Sequence, residues 1–334
     1  VLAWFEGRMA KVPPTLFTRK KSNHIANDDY RIAPPYQAKP LKPNDLEVAS
    51  DFIDIECLDR FTEQAIKWLD GQASASRNGK PFMLYLSYTS PHKPVIPLKR
   101  FRGKGGAGAY GDFMMETDWH VGRVLDCIDK NKLTDNTVVV FTSDNGPEST
   151  WRRRIEEYNH HSNGIYREGK RSIYEGGHRV PFLIRWPNNV KASSKWDSPV
   201  CQTDFLATFA DILGKKLPEN AGEDSVSFYK ALIGQDAPQR FAMIHHSMRG
   251  RYAVREGKWK LIMESGSKDS KRELYDLSVD PGELSNLIVK YPDVAERLKK
   301  SITEIIQNGR TTPGRAQKND TKFWSDLHWM SDPD

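Results

Sequence analysis

Hydrophobic and polar positions alternate between helical and strand-like spacing from residue 56 to residue 143. The pattern predicts a helix over residues 56–70, a buried strand over residues 80–88 (KPFMLYLSY), a second helix over residues 111–130 and a strand over residues 137–143 (TVVVFTS). The second helix is predicted to bury one face, formed by Phe113, Thr117, Val121, Val124, Leu125 and Ile128. Helices that alternate with strands are typical of a layered α/β sheet whose neighbouring strands run parallel.

The pattern changes along the second half of the chain. Residues 178–187 (HRVPFLIRWP) predict another strand, and residues 203–213 predict a helix that begins at a Thr or Asp cap. From about residue 240, short strands joined by tight turns are followed by a helical pattern over residues 293–307. This part of the chain therefore predicts a small antiparallel sheet closed by a helix.

The pattern predicts two domains. Residues 1–50 are rich in proline and charge and carry no persistent period, so we expect them to run over the surface. We predict that residues 1–238 belong to an α/β domain, and that residues 239–334 form a small antiparallel subdomain with a helix and a polar tail.

Composition and charge exclude several classes of protein. Of the 334 residues, 38% are hydrophobic, and no apolar run approaches the length that crosses a bilayer. The 50 basic and 44 acidic residues leave a net charge of +6 without an arm rich in Lys and Arg. We therefore expect neither a membrane span nor nucleic acid as a partner.

The cysteines and the start of the chain say little about its compartment. Cys57, Cys127 and Cys201 include no CxxC pair and make no disulfide framework, and Cys127 is expected to be a buried free thiol on a core helix. The chain opens VLAWFEG, without an initiator Met or a readable signal peptide. We expect this start to be a cut inside a longer protein.

Polar side chains that could take part in catalysis or metal binding follow the predicted strands. Asp144 and Asn145 (SDNGP) follow the strand at 137–143, His92 (SPHKP) follows the strand at 80–88, and Lys170 lies in the loop REGKRSIYEGGHRVP. Each has a structural explanation, because Asn-Gly is a common turn signal, a histidine between prolines caps a rigid turn, and loop lysines are usually solvated. Asp144 and Asn145 would also offer a metal ion one anionic and one neutral oxygen.

Together these groups suit the hydrolysis of a sulfate ester. That reaction needs a hard divalent cation held by oxygen ligands, a lysine that neutralises developing charge and an imidazole that serves the leaving oxygen. Phosphoryl transfer needs much the same set, and spacing alone does not exclude the two opposed carboxylates of a glycosidase. The residues by themselves leave these reaction classes open.

A series of sequence blocks narrows the choice among these reaction classes. In order they are PHKP, DWHVG, TVVVFTSDNGP, SNGIYREGKRSIYEGGHRVPFLIRWP, GKWKLI and LYDLSVDPGELSNL. From about residue 50 to residue 310 the chain resembles the carboxyl-terminal two thirds of a type I, arylsulfatase A-like sulfatase. The resemblance implies an alkaline phosphatase-like α/β fold, with a layered sheet flanked by helices and a small carboxyl-terminal antiparallel sheet with a helix.

The resemblance also implies a function, a metal and a location. The function is hydrolysis of sulfate esters, the substrate is a small-molecule or glycan sulfate (an aryl or carbohydrate sulfate), the metal is Ca²⁺, and the location is periplasmic or extracellular. The implied site residues are Asp144 and Asn145 as calcium ligands, His92 and Lys170 as catalytic groups, and Arg167, Arg171 and His161 as substrate-binding groups.

The chain departs from the family pattern in its nucleophile. Type I sulfatases use a formylglycine made from Cys or Ser inside C/S-x-P/A-x-R, whereas Cys57 is followed by Asp59 and Phe61 at the positions of Pro or Ala and of Arg. Asp28 and Asp29 lie in a polar loop and are not assigned as the family's first metal ligands. We therefore expect both features in a segment before Val1, and we expect this chain alone to be inactive.

Two alternatives to a sulfatase stay open. A phosphodiesterase or phosphonate hydrolase of the same superfamily would share the sheet and the metal chemistry, and would favour zinc or manganese over calcium. A non-catalytic fragment would bind sulfated glycans with salt-sensitive affinity and no turnover. Its binding groups would be Arg152, Arg153, Arg154, Arg167 and Arg171.

Overall fold

The structure of the protein is a computed structural model in which two compact units are distinguished. The first unit consists of residues 1–137 and 152–161, and the second of residues 138–151 and 162–334. The predicted domain boundary after residue 238 stays a prediction. The structure describes residues 4–6, 18–19, 46–48, 53–92, 95–237, 239–266, 269–319 and 324–330.

The first unit begins with a small antiparallel sheet. Strand β3 lies between β1 and β2, and Phe5 is opposite Glu47 in the register. Its strands are β1 (Trp4–Glu6), β2 (Thr18–Arg19) and β3 (Leu46–Val48). The expectation that residues 1–50 are wholly irregular is therefore wrong at these three strands, whose short length gives no readable period. Asp28 and Asp29 lie outside the described residues.

Two long helices, α1 (Cys57–Arg77) and α2 (Gly108–Lys130), pack against each other in the first unit. Both confirm helices predicted from periodicity, and each is longer than its prediction. The buried residues of α1 recur every three or four positions and so line one face. They are Leu58, Thr62, Ala65, Leu69 and Ala73. Short 3-10 turns are formed by Asp54–Glu56, Lys99–Phe101 and Thr134–Asn136.

The buried face of α2 differs from the predicted apolar face. Phe113, Thr117 and Ile128 are buried as predicted, whereas the other three predicted residues are only half-buried. Glu116 and His120 are buried in their place. The reason is that both residues have polar partners. His120 Nδ1 lies 2.8 Å from Thr62 Oγ1 of α1, and the Leu98 N–H, before the 3-10 turn at Lys99–Phe101, donates to Glu116 Oε2 over 2.7 Å.

Residues 80–88 do not form the predicted buried strand. Exposure alternates from residue to residue as in a strand, but Met83 is 73% and Tyr85 is 80% exposed. A strand needs a hydrogen-bonded neighbour, and none of the described strands pairs with this segment. The prediction of a buried strand over residues 80–88 is therefore wrong.

The second unit contains a two-stranded ladder and a separate four-stranded sheet. The ladder joins β4 (Val139–Thr142) and β5 (Phe182–Arg185), which confirms both predicted strands. The two strands run antiparallel, with Val140 opposite Ile184, so the expected parallel pairing is wrong for this pair. Hydrophobic spacing marks a strand but does not specify its partner or direction.

The four-stranded sheet has the order β6-β7-β8-β9 and is antiparallel throughout. It confirms the predicted small sheet, and the helix that follows it confirms the predicted closure. The strands are β6 (Met243–His246), β7 (Tyr252–Glu256), β8 (Trp259–Ile262) and β9 (Glu273–Asp276). The remaining helices are α3 (Trp151–Tyr158), α4 (Glu175–His178), α5 (Phe205–Ile212), α6 (Tyr229–Leu232) and α7 (Pro292–Asn308), with a 3-10 turn at Gln202–Asp204.

The two faces of this sheet bury different chemistry. One face packs Val254, Leu261 and Leu274 against Leu298 and Ile302 of α7, an apolar core of the usual kind. On the other face Ala253, Ile262 and Tyr275 pack against Ile173, in the segment that precedes α4. Because side chains alternate along a strand, Lys260 shares this second face with Ile262.

Lys260 lies at the centre of a buried ionic network on the second face. Its Nζ is 2.9 Å from Glu175 Oε1 and 2.8 Å from Glu283 Oε1, and all three side chains are at most 2% exposed. Glu283 also accepts a hydrogen bond from the Glu175 backbone N–H over 2.5 Å. A buried charge is tolerated only when it is paired and hydrogen-bonded, so each of the three residues depends on the other two.

None of the helices within the described part of the chain has both the length and the apolar character that crossing a membrane requires.

We predict that Lys260→Met destabilises the protein by about 3–5 kcal/mol, because it leaves two buried carboxylates without their shared cation. The matched control is Lys258→Met, two residues away, where an exposed lysine pairs with Asp276 over 2.7 Å. That change is expected to cost at most about 1 kcal/mol. Urea unfolding of both variants measures the difference, and equal losses would contradict the structural importance of the buried network.

Candidate functional site

The corner after β4 presents two side-chain oxygens. Asp144 is exposed, and its carboxylate accepts a long hydrogen bond of 3.5 Å from Ser143 Oγ. Asn145 donates its side-chain N–H to the carbonyl of Gly146 over 3.0 Å, which turns its Oδ1 away from that carbonyl. Gln202 Nε2 holds the backbone of the corner through the Ser143 carbonyl, at 2.6 Å. One anionic and one neutral oxygen are thus presented by a backbone that is itself anchored.

The corner is joined to the turn at α4, backbone against backbone. Gly146 N–H donates to the carbonyl of Gly177 over 2.9 Å. A Cβ on Gly146 would lie 1.8 Å from the carbonyl oxygen of Gly176, far inside van der Waals contact. A side chain at position 146 therefore has no space, which explains the glycine of the DNGP block. The glycines of the YEGG block are equally confined, because a Cβ on Gly176 or Gly177 would lie 2.3 Å from the carbonyl oxygen of Glu168 or Ser172.

Lys170 is attached to the same corner. Its backbone N–H donates to the carbonyl of Pro147 over 2.8 Å, and its side chain is half-buried. The preceding Gly169 lies so close to this carbonyl that a Cβ would be 2.4 Å from the Pro147 oxygen and 2.8 Å from Trp151 Nε1. The structure therefore joins the backbone at Lys170 to the segment that follows Asp144 and Asn145, from which it is separated by about 25 residues in the sequence.

The two arginines beside Lys170 are already engaged by side chains of the second unit. Arg171 donates from Nη1 to Glu148 Oε1 over 2.7 Å, and this hydrogen bond lowers the pKa of Glu148 to about 2. Arg167 stacks on the ring of Tyr174, with 3.7 Å from its guanidinium carbon to the ring centre, and donates to the Glu283 carbonyl over 3.0 Å. Their predicted contacts with a substrate stay predictions.

His92 and His161 belong to the first unit, whereas the other predicted site residues belong to the second. Both histidines are exposed. The backbone N–H of His92 donates to the Thr89 carbonyl over 3.0 Å, which closes a turn around residues 89–92. The predicted catalytic role of His92 and the predicted substrate contact of His161 stay predictions.

Sequence reasoning missed the ionic network below this site. Glu175 starts α4, directly before the two glycines that meet the Asp144 corner, and it also contacts His178 and Arg179, each at 3.2 Å. Burial alone would raise the pKa of Glu175, but the hydrogen bond with His178 and the charge of Lys260 outweigh burial and hold that pKa well below its usual range. The missed signal was the strand alternation that places Lys260 on the same face as Ile262.

A second group of side chains lies close enough together to be considered as a metal site. Within the described part of the chain, donor atoms of Glu175, His178 and His245 lie within 4.8 Å of one another. However, Lys260 occupies Glu175 Oε1, and the two imidazoles are stacked, with centroids 4.1 Å apart and planes at 22°. A metal ion lies near the plane of each imidazole it binds, so nearly parallel stacked rings must first rearrange. Nitrogen ligands also suit zinc better than calcium.

Family comparisons agree over most of the chain. The family described as Sulfatase matches residues 21–215, and the family described as N-sulphoglucosamine sulphohydrolase, C-terminal, matches residues 164–308.

Individual relatives are also sulfatases. The chain is 36% identical over 247 residues to N-acetylgalactosamine-6-O-sulfatase of Bacteroides thetaiotaomicron, an alignment that covers 69% of this chain and 48% of the relative. It is 32% identical over 259 residues to human arylsulfatase A, covering 69% of this chain and 50% of the relative. The chain thus spans about half the length of these curated relatives.

A solved structure supports the same fold. It is described under the metabolism of multiple glycosaminoglycans by Bacteroides thetaiotaomicron, and it matches with a TM-score of 0.71 and 31% identity over 79% of this chain and 58% of that one. The alkaline phosphatase-like α/β fold expected from the sequence is confirmed by this match.

We predict that the folded state loses stability as the pH falls below about 6.5. Burial lowers the pKa of both His178 and His245, and the Lys260 charge adds to the effect. Because their pKa values are higher in the unfolded chain, the unfolded state binds more protons at acidic pH, and stability falls by at most about 1.4 kcal/mol per pH unit for each histidine. Glu283, whose pKa is raised by burial, opposes this trend near its own titration.

The variant His245→Gln isolates the histidine contribution. Unfolding free energies of the wild type and the variant are compared between pH 5 and pH 8, and the variant is expected to lose less stability on acidification. An identical pH dependence would show that His245 does not remain neutral in the folded state.

Proposed function

The chain belongs to the sulfatase family, and on that premise we propose that the protein hydrolyses sulfate esters. The observation that carries the proposal is the backbone connection between the Asp144 corner and the Lys170 loop. It consists of two hydrogen bonds, from the Gly146 N–H to the Gly177 carbonyl and from the Lys170 N–H to the Pro147 carbonyl. It holds oxygen donors and a cationic side chain on one anchored piece of backbone. A sulfuryl group needs both kinds of partner, because it carries negative charge and polarisable oxygens.

The oxygen donors of the corner fit Ca²⁺. Calcium binds six to eight oxygens at about 2.3–2.6 Å and favours carboxylates and amide carbonyls. The Asp144 carboxylate is exposed and accepts a long hydrogen bond from Ser143, and the Asn145 amide is oriented by the Gly146 carbonyl. We propose Asp144 and Asn145 as two ligands of a calcium ion whose other ligands come from outside this corner. When bound, the ion supplies polarisation of a sulfuryl oxygen.

The side chains of this chain have separate roles in the proposal. Lys170 contacts the sulfate and neutralises the negative charge that develops on its oxygens during transfer. His92 donates a proton to the departing alcohol oxygen. The nucleophile is a formylglycine that none of these 334 residues supplies, because C/S-x-P/A-x-R does not occur among them.

We propose a carbohydrate sulfate as the substrate. In support, the relative at 36% identity is named as a sulfatase of N-acetylgalactosamine 6-sulfate, and the structural relative at 31% identity is described with glycosaminoglycan metabolism. Arylsulfatase A at 32% identity keeps an aryl sulfate as the second choice. Because an enzyme acting on a sulfated glycan would encounter it outside the cytoplasm, we also propose a periplasmic or extracellular location.

The test of the function uses the full-length protein that carries this chain. Sulfate release from N-acetylgalactosamine 6-sulfate and from 4-nitrocatechol sulfate is measured by ion chromatography, with bis(4-nitrophenyl) phosphate as the phosphodiester comparison. Faster release from the sugar sulfate supports the proposal. Turnover of the phosphodiester alone would replace it with the phosphodiesterase alternative.

We predict that Lys170→Ala lowers kcat by about 10²- to 10³-fold, the scale expected for one preorganised electrostatic donor. KM is expected to rise much less, because the lysine contributes most when charge develops in the transition state. Steady-state kinetics of the full-length protein measure both, with the exposed Lys191→Ala as the control. A near wild-type kcat for Lys170→Ala would reduce this loop to a structural turn.

We predict that Asp144→Ala weakens calcium binding and leaves the fold intact, because the site loses its anionic oxygen while the turn keeps Asn145 and Gly146. Calcium content by elemental analysis and calcium titration by calorimetry are the measurements, with thermal unfolding in the presence of chelator as the check on folding. Unchanged calcium binding and activity would mean that the corner serves only as a turn.

A further inference from the structure

Glu148 and Arg171 form an ion pair directly beside Lys170. The Arg171 Nη1 donates to Glu148 Oε1 over 2.7 Å, and both side chains are partly exposed. Glu148 follows Pro147, whose carbonyl accepts the Lys170 N–H, so the side-chain pair lies next to a backbone hydrogen bond between the same two segments. Glu148 in addition accepts the Ser149 N–H over 2.8 Å, which fixes the position of its carboxylate.

The backbone around Lys170 is in a conformation that needs external support. Glu168 and Arg171 have left-handed φ values of +61° and +76°, which side-chain-bearing residues rarely adopt. Such conformations persist when surrounding contacts over-determine them. Here the contacts are the Lys170 N–H on Pro147, the Ser172 N–H on the Gly169 carbonyl at 3.0 Å, and the Arg171 side chain on Glu148.

We propose that Glu148 and Arg171 are positioning residues for Lys170, and that Arg171 acts through this ion pair and not as a ligand of the substrate sulfate. The inference rests on the proposed function, because it takes Lys170 as the group that contacts sulfate. On the carboxyl-terminal side of Lys170, Arg171 is bound to Glu148. On the amino-terminal side, Gly169 lies against the Pro147 carbonyl. The backbone of Lys170 is thereby held against Pro147, two residues after Asn145.

Positioning of this kind has a kinetic signature. A displacement of about 1 Å in a transition-state contact costs up to 10²-fold in rate, while binding of the ground state changes little. An arginine that bound the substrate directly would instead affect KM, and its loss would not resemble the loss of Glu148. The two roles of Arg171 therefore differ in how kcat and KM change, and in whether Glu148 shares the effect.

The experiment uses four variants of the full-length protein: Glu148→Gln, Arg171→Gln, the two combined, and the charge-swapped pair Glu148→Arg with Arg171→Glu. The matched control is Glu296→Gln. It breaks another Glu–Arg pair, in which Glu296 Oε1 of α7 lies 2.8 Å from Arg272 Nη1. Each single variant is expected to lower kcat by about 10-fold with KM within about 2-fold, and the double variant is expected to be no worse than either single one. The swap is expected to recover most of the lost kcat.

A second readout does not depend on turnover. Hydrogen exchange of the Lys170 amide, resolved by mass spectrometry with fragmentation or by NMR, is expected to quicken about 2- to 5-fold in Glu148→Gln and in Arg171→Gln, and to be unchanged in Glu296→Gln. If the wild-type protein turned over no sulfate ester, the proposed function would fail, and the exchange measurement would still test the positioning.

Two results would overturn the proposal. One is a rise in KM of more than about 10-fold in Arg171→Gln with Glu148→Gln unchanged, which identifies Arg171 as a substrate ligand. The other is Lys170 amide exchange that is the same in all variants, which shows that the ion pair does not hold the loop.

Discussion

The second unit depends on a buried lysine ammonium group that lies between two buried carboxylates. Lys260 contacts Glu175 and Glu283 from the sheet; Glu175 lies at the start of α4, and Glu283 lies in the loop after β9. On the α7 side of the sheet, one apolar side chain can replace another of similar volume, because the core needs only to be well filled. The ionic side is different, since a buried charge without its partner costs several kcal/mol. This requirement determines that the segments carrying Glu175 and Glu283 cover this face of the sheet at Lys260.

The same network connects the small sheet to the candidate site. Glu175 is held by Lys260 and Glu283, the next two residues are the glycines that meet Gly146, and Gly146 follows Asp144 and Asn145. Three sequence blocks that are far apart in the chain, YEGG, KWK and DPGE, thus meet in one set of contacts. Their co-occurrence in the sequence has a physical basis, because each block supplies one charged member.

Local periodicity carried much of the fold. The helices at 57–77, 108–130 and 292–308 and the six strands from Val139 onward appear where hydrophobic spacing predicts elements. The Asp144 corner and the Lys170 loop were also visible, because glycine and polar residues mark the ends of strands. Spacing did not predict the antiparallel pairing of β4 with β5, nor the exposure of Met83 and Tyr85. Both depend on which distant segment lies alongside, and sequence spacing does not contain that information. For the same reason Lys260, Glu116 and His120 were not recognised as buried.

The distance along the chain between Glu175 and Glu283 sets an order of events during synthesis. The Glu175 backbone N–H and the Lys260 ammonium both need Glu283, which follows Glu175 by 108 residues. A ribosome adds about 5–20 residues per second, so the turn at α4 waits on the order of 5–20 s for its partner after it has been made. During that interval the Glu175 N–H lacks its Glu283 acceptor, while the backbone hydrogen bonds of Gly176, Gly177 and Gly146 need only residues up to 177. The corner that carries Asp144 and Asn145 therefore gains its connection to the buried ionic network only after Glu283 has been translated, although its own residues are among the first of this unit to be made.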